Sequence, residues 1–82
     1  MALDKLTKVI LYKNSITGRY ECFRGNQLIT YLTSGETFIL IDENQTIRGR
    51  LEHNGDDYYW ISNSGLLQKD LYDGIEGYIL VY

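Results

Sequence analysis

Apolar and polar residues alternate in short runs along this chain. The runs are cut by Gly, Asn, Asp and Ser rather than by proline, which is absent. The breakers fall at Asn14–Gly18, Gly25–Asn26, Ser34–Gly35, Asp42–Asn44, Asn54–Asp57, Ser62–Gly65 and Asp73–Gly77. Breakers every roughly 8–12 residues, with period-two runs between them, predict a small all-β sandwich or barrel. The runs are rich in Val, Ile, Thr, Tyr and Phe, which suit a pleated, half-buried surface.

Strands are predicted over Thr7–Lys13, Arg19–Phe23, Glu36–Ile41, Thr46–His53 and Tyr78–Tyr82. The turn Ser15–Gly18 joins the first two, with Gly18 supplying a positive φ. Gln27–Thr33 fits a strand, a short helix or an irregular loop equally well. Leu66–Tyr72 is too short for an autonomous helix and allows at most one docked turn. The clearest hairpin spans Arg48–Ile61. A two-residue loop at Asn54-Gly55 sets Glu52 opposite Asp57, like charge against like. A four-residue loop, Asn54–Asp57, instead pairs His53 with Tyr58 and Leu51 with Trp60. Leu51, His53, Tyr58 and Trp60 then share one face, while Arg48, Arg50, Glu52 and Tyr59 share the other. The second register is the expected one, because it sends Trp60 and Leu51 to the core and the charges to water.

Composition narrows the rest. With 82 residues the expectation is a single domain spanning 1–82. A net charge of −3 disfavours a strongly basic nucleic-acid binder. The charge is uneven: five bases stand against two acids in residues 1–25, and six acids against Lys69 alone in residues 51–82. The apolar runs, Val9–Tyr12 and the closing Tyr78–Tyr82 among them, are too short for a membrane-spanning helix or a leader sequence. One cysteine and one histidine exclude an internal disulfide framework and the usual zinc finger, and a reducing cytoplasm fits them best.

Three segments resemble a known family: Leu11-Tyr12-Lys13-Asn14-Ser15-Ile16-Thr17-Gly18-Arg19-Tyr20-Glu21, then Leu32-Thr33-Ser34-Gly35-Glu36-Thr37-Phe38, then Gly49-Arg50-Leu51-Glu52-His53 with Tyr58-Tyr59-Trp60-Ile61. Gly74-Ile75-Glu76-Gly77-Tyr78 fits more loosely. The family is a group of short bacterial proteins described only as a domain of unknown function, associated with Gram-positive bacteria and their mobile elements. Its members usually have tryptophan where Tyr58 stands and an aliphatic residue where Trp60 stands. The resemblance implies a small, strongly bent, SH3-like barrel and implies no activity. The Gly35-Glu36 step is also similar to the start of the second strand in SH3-type barrels.

Candidate chemistry is sparse. Cys22 lies in a predicted strand with no base brought near it, and reads as a small core residue. His53 ends a strand before a turn and reads as a ring packed on Tyr58. Glu52, Asp56 and Asp57 lack the ligand alternation of a calcium loop. No glycine-rich phosphate loop precedes a helix. The expectation is therefore no enzyme, no metal and no cofactor. Eight tyrosines are many for this length. Tyr20, Tyr58 and one or two of Tyr78 and Tyr82 are expected in the core. Tyr59 is expected to face outward, flanked by Arg48 and Arg50, a composition typical of interface hot spots. Together these readings predict an SH3-like barrel of five to six short antiparallel strands with at most one or two helical turns. It is expected to act as a binding module for a protein or peptide through Arg48, Arg50 and Tyr59. The alternatives are a nucleic-acid accessory module, using the basic N-terminal third with Arg48 and Arg50, and an acidic inhibitor or decoy of a mobile element.

Overall fold

The computed structural model describes residues 5–81. Among them there is no helix, and eight strands form: β1 Lys5–Lys13, β2 Tyr20–Arg24, β3 Gln27–Leu32, β4 Thr37–Asp42, β5 Gln45–His53, β6 Tyr58–Ser62, β7 Gln68–Asp70 and β8 Ile75–Val81. They make one antiparallel sheet in the order β3-β2-β1-β8-β4-β5-β6-β7. Most connections are local hairpins. The long-range step is the insertion of β8 between β1 and β4.

With no helix and no second sheet to cover it, the apolar face must cover itself, so the sheet coils. The enclosed face carries Val9, Leu11, Tyr20, Cys22, Leu32, Phe38, Leu40, Leu51, Trp60, Ile75 and Ile79. These residues alternate with outward positions along each strand, as a pleated strand requires. The radius of gyration is 12.2 Å, near the roughly 12 Å of a compact chain of this length. Two glycines mark the tightest places. A Cβ on Gly49 would overlap the Trp60 ring and the Ile61 carbonyl, and one on Gly77 would overlap the Phe38 ring and the Ile39 carbonyl. The two large rings therefore pack against neighbouring backbone, and only glycine leaves room for them. The Trp60 indole also donates from Nε1 to the Phe38 carbonyl at 2.8 Å, so its one polar atom is satisfied inside the core.

The expected closed barrel of five to six strands does not form. There are eight strands, and the sheet is open, with β3 and β7 as its edges. Residues 27–32 form strand β3 despite their irregular pattern. A register shift between Cys22 and Phe23 leaves Ile29 without a partner on β2, which is why alternation fails there. Within Leu66–Tyr72 the structured part is the three-residue β7 rather than a helical turn. So short and polar a strand cannot carry the ladder round to β3 and close it. A cleft of about 560 Å³ lies along the free edge of β3, lined by Ile29, Thr30 and Leu32 together with Glu36, Thr37 and Val81 among others.

Charge joins the two ends of the sequence. Lys8 pairs with Glu76 at 3.5 Å across β1 and β8, and Lys13 reaches Asp57 at 3.1 Å. The basic first third and the acidic last third thus neutralise each other in part.

Candidate functional site

The hairpin β5–β6 has the four-residue loop and the register expected of it: His53 faces Tyr58 and Leu51 faces Trp60. Asn54 builds the turn. Its backbone N–H donates to the Asp57 carbonyl, and its Oδ1 accepts from the N–H groups of Asp56 and Asp57 at 2.9 and 3.0 Å. Gly55 takes φ 101°, a value open to glycine. With that register fixed, Leu51 and Trp60 are fully buried, and Arg48, Arg50, Glu52 and Tyr59 lie on the outer face.

Arg48 is exposed, whereas Arg50 and Tyr59 are half-buried. Arg50 stands opposite Thr37 on β4 and Ile61 on β6, and its Nε donates to Glu52 Oε2 at 3.3 Å. Tyr59 stands opposite Glu52 and Asp70. The two arginines are therefore not direct cross-strand neighbours of the tyrosine; Arg50 lies diagonal to it. Beneath them the outer face has an apolar floor. Ile39 is buried yet lies on the face opposite Phe38 and Leu40, between Arg48 on β5 and Tyr78 on β8. Tyr78 itself points outward, so of the pair Tyr78 and Tyr82, one or two of which were expected in the core, Tyr78 is not the one that lines it. Ile75, Gly77 and Ile79 take the inward positions of β8, and alternation leaves Tyr78 to the other face. Tyr20 is buried, Tyr58 packs on the core from its rim, and Tyr82 lies outside the described residues.

Residues 9–79 match the family described as Domain of unknown function (DUF5348). The chain belongs to that family. The match spans all the segments that carried the resemblance. No curated protein and no solved structure matches the chain.

The chemically capable side chains of this DUF5348 fold are engaged elsewhere. Cys22 is fully buried, and burial, with Glu36 adding to it, pushes its thiol from 9.0 up to about 12. His53 accepts the Gly55 N–H at Nδ1 (3.0 Å) and packs edge-on against Tyr58, with ring centroids 4.6 Å apart. Asp57 takes Lys13, which together with the Tyr58 N–H holds its carboxyl below the usual range. Asp42 takes Lys69 at 2.9 Å. Among the described residues no group of His, Cys, Asp and Glu has the arrangement of a metal site. No helix there is long and apolar enough to cross a membrane.

A second outward cluster escaped the reading of the sequence. On β1 and β2, Tyr12 and Phe23 meet edge-to-face at 5.8 Å, and the Arg19 guanidinium lies 4.8 Å from the Tyr31 ring centre. The signal was present in two short alternations, Ile10-x-Tyr12 and Glu21-x-Phe23. It was masked because the opposite positions, Val9, Leu11, Tyr20 and Cys22, are equally apolar.

Proposed function

We propose that this DUF5348 chain is a non-enzymatic binding module for a protein or peptide, and that the partner docks on the outer face of β4, β5 and β6. The carrying observation is the arrangement of Arg48, Arg50 and Tyr59 over the apolar floor of Ile39 and Ile61. Planar donors and a rigid amphipathic ring surround apolar surface, which is the make-up of an interface hot spot. The absence of enzymatic function rests on the protonated, buried Cys22 and on His53, whose Nδ1 is occupied by its own turn. A bacterial cytoplasm and a mobile-element setting rest on the family resemblance and on the single cysteine.

A nucleic-acid partner finds less support. Lys8 and Lys13 each hold an acid of this chain, so the basic third does not offer its full charge to phosphates. The acidic-decoy reading, which would use Glu52, Asp56, Asp57, Asp70, Asp73 and Glu76, weakens for the same reason, with Glu52, Asp57 and Glu76 all paired.

The test is capture of the partner by the tagged protein, with and without nuclease, followed by affinity measurement with variants. Tyr59→Ala and Arg50→Ala are expected to change stability by less than about 1 kcal/mol and to weaken binding by about 1–2 kcal/mol or more. Log affinity is expected to depend only shallowly on log salt. A slope near −0.7 per phosphate contact would instead identify a single-stranded nucleic acid. Unchanged affinity in both variants would remove this face from consideration.

A further inference from the structure

We propose that the outer face of β1 and β2 holds a site for one cationic side chain, arginine or lysine, of a basic peptide. Glu21 would supply the opposing charge, and the rings of Tyr12 and Phe23 the walls. A cleft of about 390 Å³ lies there, lined by Tyr12, Glu21 and Phe23 and by Gly25 and Asn26 of the β2–β3 turn. The two rings stand at 72° to each other, so the cleft has an aromatic corner. Cations are attracted to ring faces, and more strongly where water is partly excluded.

The electrostatics favour the same occupant. Glu21 is half-buried, and among the described residues its carboxylate receives one hydrogen bond, from Asn14 Nδ2 at 3.2 Å, and joins no ion pair. Three of the nearby cations are engaged, while Arg24 at the end of β2 is exposed and joins no ion pair among the described residues. Lys13 is held by Asp57, Lys8 by Glu76, and Arg19 lies over Tyr31. The contrast with Glu76 is direct. On the far side of Phe23 that carboxylate has its lysine from this chain, while Glu21 awaits one from elsewhere. The neighbouring Arg19–Tyr31 contact shows that this surface already accommodates a guanidinium on a ring. An arginine suits the corner well, since its planar head can stack on a ring and donate to a carboxylate at once.

The site is separate from the β4–β5–β6 face, with β8 between them in the sheet, and does not depend on it. It is tested by titrating N-acetyl-arginine methylamide into the labelled full chain and following backbone amide shifts. Saturable shifts are expected at Tyr12, Glu21, Phe23, Gly25 and Asn26. The citrulline analogue, equal in shape but uncharged, should bind at least about five-fold more weakly. Glu21→Gln should abolish that preference. Phe23→Leu, which keeps an apolar side chain but loses the ring, should weaken binding about three-fold or more, and Tyr59→Ala should leave the titration unchanged. Equal binding of citrulline would overturn the proposal, as would shifts scattered over the acidic loops or indifference to Glu21→Gln. So would shifts of these same amides by a single-stranded hexathymidylate in place of the arginine compound, since the surface would then be a nucleic-acid stacking platform.

Discussion

Cys22 and Trp60 are both fully buried, and each ties a property of the whole protein to one side chain. The Cys22 thiol is raised from 9.0 to about 12, chiefly by burial and secondarily by Glu36, and burial also raises Tyr20, with Asp57 and Asp73 adding to it. A raised folded value means that the native state keeps a proton which the unfolded chain loses first. Stability from this source is complete below pH 9 and declines as pH climbs toward 12. Denaturant melts across that range should show the decline, and Cys22→Ala should flatten it; equal slopes would show that the thiol does not titrate late. In the folded protein at pH 8 the thiol should also resist a thiol reagent that labels it at once in denaturant. Trp60 carries the larger share of stability. Trp60→Ala removes a fully buried ring and its bond to the Phe38 carbonyl, and should cost about 3–5 kcal/mol. Domains of this size have roughly 4–12 kcal/mol in total, so the variant should lose a large share of its stability and melt far below the parent by circular dichroism. A cooperative melt within a few degrees of the parent would contradict the packing.

Turn chemistry decides how well each strand pair could be foreseen. The register of β5–β6 was legible because one alternative sets Glu52 against Asp57 and the other does not. The β1–β2 turn was legible because Asn14 and Gly18 bracket it: Asn14 Oδ1 accepts from Ile16 at 2.9 Å, and Gly18 takes φ 77°. β3 was not legible, since its bulge places Leu28 and Ile29 out of phase. β7 was not, since Gln68, Lys69 and Asp70 have no apolar alternation to read. The β4–β5 turn holds a local conflict. Asp42 pairs with Gln45, leaving a two-residue loop whose first residue, Glu43, sits at φ 56°. Such loops favour glycine at that position, because a side chain in the left-handed region costs roughly 1–2 kcal/mol. Glu43→Gly gives back part of this gain through the greater freedom of the unfolded chain, roughly 0.5–1 kcal/mol. The net expectation is a gain of about 0.5–1 kcal/mol, or a melting temperature higher by about 2–6 °C. A lower melting temperature would mean that Glu43 makes a compensating interaction worth more than the strain.

Closure of the sheet is a property of the whole molecule, and it is where reading the sequence fell short. An apolar face was evident in the runs, but how it coils depends on β8 entering between β1 and β4 and on Gly49 and Gly77 making room for rings against backbone. Neither appears in any local pattern. The outer surface was legible at Arg48, Arg50 and Tyr59, where charge marks it, and illegible at Tyr12 and Phe23, where both faces are apolar. One residue draws distant segments together at the end of β1. Lys13 donates its backbone N–H to Asp73 Oδ1 at 2.7 Å, ahead of β8, and its Nζ to Asp57 Oδ2 at 3.1 Å, in the β5–β6 turn. The Nζ contact is the first cause of the lowered Asp57 value, and the Tyr58 N–H is the second. A lowered folded value gives stability that is present above the unfolded carboxylate range and is lost as pH falls through the folded value. Lys13→Met removes the charge and leaves the backbone bond to Asp73 in place. At pH 7 it should cost less than about 1 kcal/mol, because the pair is exposed. As pH falls from about 4 through the lowered folded value, the gap between the parent and the variant should shrink, since Asp57 gains a proton and no longer attracts Lys13. Urea melts at pH 7 and pH 3 measure both quantities. A gap between parent and variant that persists undiminished at pH 3 would show that Lys13 holds these segments through packing of its chain rather than through its charge.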